Sequence, residues 1–562
     1  MPLSPLKGRN LMLCNMIYQG PIKFTNWHDY LAIVYRDLDT GDKSVFILTD
    51  PVYSIYVVKP EYRTFRNPRH FLPKDQLEER VIKYKDRYKE IAKIAGPQYE
   101  NMLKDKTFDK RLLMKYPYVL GADIDIETIY RCKWADEIDN NSKKEITIAF
   151  LDIEVDTIDI DGFPHDGEAP VNAITIIFDS DSTSHTFLLD NGNNPLIPEF
   201  VKNHDGFQKR VHDLFDDVYG KLEYSIYMFT DEIELIKSAF KLLNVKKPDI
   251  CNIWNMSFDI PYLIDRCNVL GVNPSTVMCH SDFPYPTLNY YIDKNTKDFR
   301  DKKDFFNVAS YTHYRCQQRT YQSLRKSQGI IRRTNLDAIG QRELGEKKLD
   351  YHAVASIKTL PYEDYEMFVI YNIKDVLLQK GIDNKCNDTS NVYISSLASY
   401  VPYKDVLKQT VSLRGLMEHD FMKSDIVLGN NVNYDADDHD NSSDDDGDDS
   451  YEGAINGDPM HNAQVGAKIF GIPSRFYFRD VIDFDFSSMY PSSMEAYNIF
   501  ANCLIGKVIL SEEDMQGRLN YDEDAGKELI EDFIHDDVVY IGHKYLDLPS
   551  AEDILNELGA KL

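Results

Sequence analysis

The sequence lacks several features that mark simple classes of protein. Its eight cysteines form no C-x-x-C pair, so we expect ordinary thiols in a reducing compartment and neither a zinc site nor a disulfide framework. It has no run of about 18 apolar residues, the length that a membrane-spanning helix needs. The first residues, MPLSPLKGRNLMLC, contain no apolar signal-peptide segment. These absences predict a cytoplasmic protein.

Positive charge is also scarce. The chain has 64 Lys and Arg against 92 Asp and Glu, a formal net charge of −28. This balance argues against a protein that coats DNA through bulk charge, although a local basic channel remains compatible with it. Residues 434–458 contain ten Asp and one Glu but no Lys or Arg. Such a segment predicts a self-repelling, disordered linker or surface loop.

The chain does contain enough apolar material for several cores. Hydrophobic residues make up 43% of its 562 residues, and this length suggests about four domains. Strands alternate with helical segments from about residue 130 to 385, which predicts an α/β domain. Short strands are predicted between about residues 10 and 60, and a long charged helix over Lys74–Ala95.

Three motifs place carboxylates beside predicted strands and helices. Asp152 and Glu154 end a strongly apolar strand, and residues two apart on a strand point to the same side. Asp259 lies between a short strand and a helix. Tyr371 and Asp375 are four residues apart and share one face of a predicted helix.

Each motif has a plain alternative interpretation. Asp152 and Glu154 fit solvent-facing alternation on a strand, Asp259 fits a helix N-cap, and Tyr371 with Asp375 fits helix-surface packing. Taken together, their order and spacing match what two-metal phosphodiester hydrolysis needs, because four carboxylates can hold two Mg²⁺ ions about 4 Å apart.

These motifs, FLDIEV, NMSFDIPY and YNIKD, with DGFP at 161–164, resemble the exonuclease motifs of the replicative family B DNA polymerases of T-even-type bacteriophages. The resemblance implies an RNase H-like 3′→5′ exonuclease domain that acts on primer-template DNA and single-stranded 3′ ends. It implies that the four carboxylates hold two Mg²⁺ ions, with Mn²⁺ as an alternative, and that the Tyr371 hydroxyl orients the attacking water. Asn255 and Phe258 are then expected to contact DNA.

A basic stretch without any acid follows from Phe305 to Leu336. Its cations are interleaved with tyrosines and suit a frayed single strand; those expected to contact DNA are Arg315, Arg319, Arg325, Lys326, Arg332 and Arg333. By the same resemblance, this region is similar to the hairpin that helps to separate primer from template. A generic basic surface is the alternative.

A second motif, DFDFSSMYPS at 483–492, resembles motif A of family B polymerases. The resemblance implies that the Asp485 carboxylate and the Phe486 carbonyl bind the two Mg²⁺ ions of a polymerase site. It also implies that Ser487, Ser488, Met489 and Tyr490 face the incoming dNTP, with Tyr490 acting as a steric gate against ribose.

The 77 residues that follow Asp485 contain neither a K-x-x-x-N-S-x-Y-G fingers motif nor a D-T-D palm motif. One carboxylate cannot hold a two-metal site. We therefore expect a second polypeptide to supply the fingers, motif C and thumb, and a sliding clamp to act only indirectly. The expected location is the cytoplasm of an infected bacterium.

The domain organisation predicted from these motifs has five parts. They are an N-terminal domain (1–130), the exonuclease domain (131–385), a return segment (386–430), an acidic linker (431–462) and a partial palm (463–562). Two other functions stay open: a standalone 3′→5′ exonuclease with a vestigial palm, and a non-catalytic module that binds single-stranded nucleic acid.

Overall fold

The computed structural model describes residues 3–21, 26–63, 71–105, 107–138, 145–291, 305–325, 331, 333–349 and 356–429, and two short strands further on. The chain divides into two compact units, Met1–Asn431 and Val432–Leu562. The acidic segment 434–458 and the predicted polymerase residues 485–490 lie outside the described residues. In the second unit, the described strands Leu504–Gly506 and Val539–Tyr540 pair with each other in antiparallel orientation.

The first unit begins with antiparallel strands. In chain order, its N-terminal elements are β1 (Leu11–Gln19), β2 (Tyr30–Asp37), β3 (Lys43–Thr49), β4 (Val52–Val58), β5 (Phe71–Pro73), β6 (Leu77–Lys83), α1 (Arg87–Ala95), α2 (Pro97–Met102), β7 (Val119–Leu120) and α3 (Ile126–Glu137). One sheet has the order β1-β2-β3, and another has the order β6-β4-β7. Their apolar faces and α3 enclose one core.

The predicted helix over Lys74–Ala95 is wrong in its first half. Leu77–Lys83 forms strand β6, which pairs along its whole length with β4, and only Arg87–Ala95 is α-helical. The spacing of Leu77, Val81 and Ile82 indicates a helix when local pattern alone is considered. Pairing with a partner strand overrides this weak preference.

The central part of the first unit alternates strands and helices, as predicted. Its elements are β8 (Ile148–Val155), β9 (Val171–Phe178), β10 (Thr183–Leu189), α4 (Ile197–Lys202), α5 (His204–Tyr219), β11 (Glu223–Phe229), α6 (Glu232–Lys246), β12 (Ile250–Ile253), α7 (Met256–Val269), α8 (Pro274–Met278), β13 (Leu288–Tyr291), β14 (Phe305–Val308), β15 (His313–Cys316), α9 (Gln317–Leu324), α10 (Leu336–Leu344), α11 (Leu360–Glu363) and α12 (Tyr365–Cys386).

Six of these strands form one mixed sheet with the order β11-β10-β9-β8-β12-β15. β9 runs antiparallel to both of its neighbours, β8 and β10, whereas β8, β12 and β15 are parallel. This confirms the mixed α/β class, and the sheet is consistent with an RNase H-like fold.

The sheet is covered on both faces. Along β8, Ala149, Leu151 and Ile153 face a core closed by α6, α7 and α8. Ile148 and Phe150 face the opposite core, which α4, α5 and α12 close. Because β8 and β12 are parallel, their carboxyl ends lie at the same edge of the sheet, where groups from both layers can meet.

The chain then returns to the N-terminal region through α13 (Asp388–Ser399), α14 (Gln409–Lys423) and β16 (Ile426–Leu428). β16 pairs antiparallel with β5, and the Arg414 guanidinium forms an ion pair with Asp123, 2.9 Å between Nη2 and Oδ2. Within the described part of the chain, every helix is too short or too polar to cross a bilayer.

Candidate active site

The carboxyl end of β8 brings Asp152 and Glu154 to the sheet face that α12 covers. α12 is capped by the Asp364 side chain, which accepts a hydrogen bond from the Met367 amide. Its long buried middle crosses β8 and β9. The Asn372 amide donates to Asp152, 3.1 Å between Nδ2 and Oδ2. The two acids are half-buried and face α12, which argues against the solvent-facing interpretation.

α12 also carries Tyr371 and Asp375. Asp375 is 3% exposed and Tyr371 is 5% exposed, so both are interior residues and the helix-surface interpretation is wrong. One carboxylate oxygen each from Asp152, Glu154 and Asp375 lies within 4.8 Å of the other two. Residues separated by more than 200 positions in the sequence thus converge at one point.

Asp259 approaches from α7, which begins just after β12. Asn255 precedes the first residue of this helix, and Asp259 lies inside its first turn, so the N-cap interpretation of Asp259 is wrong. The side chain is 5% exposed. Asp259 and Glu154 are close enough for the charge of Glu154 to raise the pKa of Asp259.

The electrostatics of the four acids are unfavourable without a cation. Burial and the charges of its three acidic neighbours raise the pKa of Asp152 well above the usual range. Burial and the Asp375 charge raise the pKa of Glu154 to about 8. Burial also raises the pKa values of Asp259 and Asp375. Perturbation of this kind is typical of functional sites.

Lys348, which the sequence patterns did not single out, supplies one compensating charge. Its ammonium forms an ion pair with Asp375 and donates to the Tyr371 hydroxyl, 3.2 Å between Nζ and Oη. Burial alone would lower the pKa of Lys348, but the charges of Asp375, Tyr371 and Asp152 raise it well above normal. Lys348 follows α10 in an irregular segment with no motif, so only the tertiary contact reveals it.

The donor set fits a divalent metal. The Asp375 Oδ1 atom is buried and has no hydrogen-bond partner among the described residues, so one carboxylate oxygen of the cluster lacks a donor. Clustered carboxylate oxygens are the ligands that Mg²⁺ and Mn²⁺ prefer. Such an ion would compensate the charge that Lys348 alone does not.

An aromatic pair connects the first turn of α7, where Asp259 lies, to the loop between β8 and β9. Phe258 precedes Asp259 in α7, and its ring centroid lies 4.6 Å from that of Phe163. Phe163 belongs to the loop between β8 and β9 and is 68% exposed. Exposed rings beside a charged site can stack on nucleic-acid bases.

The basic stretch is placed differently from the prediction. Arg315 lies in β15 and is 7% exposed, and its guanidinium donates to the Thr320 hydroxyl. Arg325 forms a bidentate ion pair with Asp388, with N–O distances of 2.8 and 3.1 Å. The predicted DNA contacts of Arg315 and Arg325 are therefore corrected, since both side chains are occupied inside the fold.

The remaining residues of this stretch have mixed locations. Arg319 is half-buried, Arg333 is exposed, and Lys326 and Arg332 lie outside the described residues. The interleaved rings of Tyr311, Tyr314 and Tyr321 are at most 2% exposed and belong to the core. The β13–β14 pair, Leu288–Tyr291 with Phe305–Val308, instead begins before the basic stretch.

Comparison with known families agrees with this geometry. Residues 120–321 match the profile described as DNA polymerase family B, exonuclease domain. This match assigns the region containing Asp152, Glu154 and Asp259 to that domain, while Tyr371 and Asp375 follow the matched segment.

Curated relatives are distant. The chain is 24% identical over 292 residues to the DNA polymerase delta catalytic subunit of Schizosaccharomyces pombe, covering 50% of this chain and 24% of that protein. It is 24% identical over 371 residues to the DNA-directed DNA polymerase of Escherichia phage RB69, covering 64% and 36%. It is 24% identical over 195 residues to the DNA polymerase of Autographa californica nuclear polyhedrosis virus, covering 34% and 18%. The chain thus spans between about a fifth and a third of the length of these relatives.

Proposed function

We propose that this chain carries the proofreading 3′→5′ exonuclease of a phage replicative family B DNA polymerase and hydrolyses phosphodiester bonds at DNA 3′ ends. The convergence of Asp152, Glu154 and Asp375 from β8 and α12, with Asp259 nearby in α7, is the observation that carries the proposal. The matched exonuclease profile over residues 120–321 supports it.

The residues divide the work as follows. Asp152, Glu154, Asp259 and Asp375 would hold two Mg²⁺ or Mn²⁺ ions, which when bound activate a water and stabilise the leaving oxygen. The Tyr371 hydroxyl orients that water, and the Lys348 ammonium keeps Asp375 ionised and Tyr371 in place. Asn255 at the start of α7, the exposed ring of Phe163 and the half-buried ring of Phe258 would contact the unpaired bases.

The polymerase part of the proposal depends on residues 463–562. Asp485 to Tyr490 would contribute motif A to a site that a second polypeptide completes in the cytoplasm of the infected host. An extension assay tests this directly. The chain with dNTPs alone should not extend a primer, whereas adding a polypeptide with the K-x-x-x-N-S-x-Y-G and D-T-D motifs should restore extension that Asp485→Ala abolishes.

The nuclease is tested by replacing two acids. We expect the wild-type chain with Mg²⁺ to shorten a 3′-mismatched, 5′-labelled primer stepwise, and the variant Asp152→Ala/Glu154→Ala to be at least about 10³-fold slower, because metal ions contribute several kcal/mol to such reactions. A matched control, Asp181→Ala/Asp216→Ala, removes two acids from ion pairs remote from the cluster. Full activity in a folded Asp152→Ala/Glu154→Ala variant would refute the assignment.

A further inference from the structure

A group of three buried side chains connects the loop that carries Phe163 to the helix that carries Asp259. We propose that Glu232, Tyr262 and Arg266, here called the loop anchor, are positioning residues that hold Phe163 where it can stack on a base at the DNA 3′ end. This inference rests on the proposed function and deepens it, since it concerns how the same site holds its substrate.

Arg266 and Glu232 form the central pair of the loop anchor. The guanidinium contacts the carboxylate at two points, 2.7 Å from Nε to Oε1 and 2.6 Å from Nη2 to Oε2. The third nitrogen, Nη1, donates to the Gly167 carbonyl at 3.0 Å. Glu232 Oε1 in turn accepts a hydrogen bond from the Val171 amide at 2.8 Å. One buried pair therefore fixes both a loop residue and the first residue of β9.

Tyr262 makes the second attachment. Its hydroxyl accepts a hydrogen bond from the Ala169 amide at 2.9 Å and donates to the Ala169 carbonyl at 2.7 Å. The loop backbone also lies directly against α7: a Cβ added at Gly167 would be 2.6 Å from the backbone nitrogen of Arg266. Gly167 also has a φ of +66°, in the left-handed region. A side chain at position 167 is therefore excluded by both space and conformation.

The same helix serves the loop and the candidate metal site. Asp259, Tyr262 and Arg266 are spaced at i, i+3 and i+7, so they share one face of α7. Phe258 is adjacent to Asp259 in the sequence, and the Phe163 ring contacts the Phe258 ring. The loop anchor thus ties the position of Phe163 to the helix that carries a predicted metal ligand.

The opposite end of the loop is also attached. The Tyr362 hydroxyl donates to Asp156, 2.5 Å between Oη and Oδ2, and the Lys358 ammonium donates to the Ile160 carbonyl. Between these attachments the loop presents Phe163, which is 68% exposed. A ring with so little burial obtains its position mainly from the fixed ends of its loop. Loosening one end should therefore weaken the stack.

The expected size follows from base stacking. One base–aromatic stack is worth roughly 5- to 150-fold in binding. The conservative variant Arg266→Lys keeps the charge but loses the bidentate fork, and Tyr262→Phe keeps the ring but loses both hydrogen bonds. We expect each to raise KM for a single-stranded 3′ end by roughly 5- to 10-fold, with kcat changed less than about twofold, because stacking contacts no reacting atom.

The deciding experiment is a double-mutant cycle with Phe163→Ala, measured in Mg²⁺ on two substrates. One has a normal 3′ end, and the other lacks the bases of its last two nucleotides. If the loop anchor acts through Phe163, adding Arg266→Lys or Tyr262→Phe to Phe163→Ala raises KM by less than about twofold more. The single variants Arg266→Lys and Tyr262→Phe should then have the same KM as wild type for the abasic substrate. Arg414→Lys, at a partly buried ion pair elsewhere in the fold, should leave KM unchanged on both.

The outcomes separate the two proposals. Additive effects in the cycle, or equal losses on normal and abasic ends, would overturn the loop-anchor role while leaving the nuclease assignment intact. Full activity of folded Asp152→Ala/Glu154→Ala would instead refute the proposed function itself. If circular dichroism shows that Arg266→Lys does not fold, Tyr262→Phe alone decides the cycle, because it removes only one oxygen atom.

Discussion

Two clusters of buried charge in the same unit have opposite balances of sign. At the candidate active site, three acidic side chains converge and Asp259 lies nearby, and Lys348 is the cation paired with Asp375. At Asp249, one carboxylate meets two cations from the N-terminal region: Lys43 Nζ lies 2.7 Å from Oδ1 and Arg36 Nη2 lies 2.6 Å from Oδ2.

The carboxyl pKa values of the two clusters shift in opposite directions. Burial would raise the pKa of Asp249, but Lys43 and Arg36 lower it to about 2, whereas the acids of the active site all have raised values. The Asp249 cluster is satisfied by the protein alone and joins two regions of the fold. The acids of the candidate active site outnumber the charge that Lys348 supplies, so this cluster is stabilised only by protonation or by further positive charge.

The largest effect should come from breaking the satisfied cluster. Asp249→Asn leaves Lys43 and Arg36 buried without a counter-charge, and we expect the free energy of unfolding to fall by about 3–5 kcal/mol. Chemical denaturation measures this. The control Asp181→Asn breaks the more exposed pair with Lys246 and should cost less than about 1 kcal/mol. Equal losses in the two variants would show that the Asp249 cluster is no more than a surface contact.

A smaller effect is expected at Lys348. Lys348→Met leaves Asp375 without its ion-pair partner, and we expect a loss of about 2 kcal/mol in metal-free buffer. In Mg²⁺ the loss should shrink, because a divalent ion takes over the compensation. Lys237→Met, in an exposed pair with Glu234, is the control and should be insensitive to Mg²⁺. A Lys348→Met loss that Mg²⁺ does not change would place the metal elsewhere.

Removing an acid from the candidate active site should have the opposite effect and raise the stability of the metal-free chain. Glu154→Gln relieves repulsion among the carboxylates, so we expect the metal-free chain to gain roughly 1 kcal/mol in stability while nuclease activity falls. Thermal unfolding with and without EDTA measures both the gain and the loss of Mg²⁺ stabilisation. A destabilised variant would mean that Glu154 makes structural contacts worth more than its repulsion.

The pH dependence is the finest test. The pKa of Glu154 is raised from 4.5 to about 8, so the stability of the metal-free chain should decline as pH rises through that interval. Glu154→Gln should flatten this decline. The pKa of Asp249 is lowered from 3.8 to about 2, so its contribution is present above about pH 4 and is lost as pH falls towards 2. Parallel pH profiles for wild type and Glu154→Gln would contradict this account.

Much of the fold could be predicted from local patterns. The short strands predicted between about residues 10 and 60 are present, Val52–Val58 among them. The predicted alternation of strands and helices from about residue 130 to 385 is also observed, for example in helix Glu232–Lys246, which has Asp231 as its N-cap. The predicted helix over Lys74–Ala95 was wrong in its first half because β6 forms its hydrogen bonds with β4, a partner that local spacing does not reveal.

The residues of the candidate site also differ in whether the sequence alone could predict them. Asp152, Glu154, Asp259 and Asp375 belong to motifs with recognisable neighbours, so their types and order indicated a metal site before any geometry was known. Lys348 has no such context. Arg315 and Arg325 were misassigned because composition cannot distinguish a cation that faces solvent from one that pairs inside the fold, as Arg325 does with Asp388.

The pairing of β5 with β16 has a consequence for how the chain is made. The Lys74 side chain also contacts the Met422 carbonyl, a partner 348 residues away. At roughly 5–20 residues per second, a ribosome takes about 20–70 seconds to cover that distance. During this interval β5 lacks its partner strand β16. The six-stranded sheet, whose strands lie between β5 and β16 in the sequence, can already fold. The six-stranded sheet can therefore be finished before the region that precedes it in the sequence.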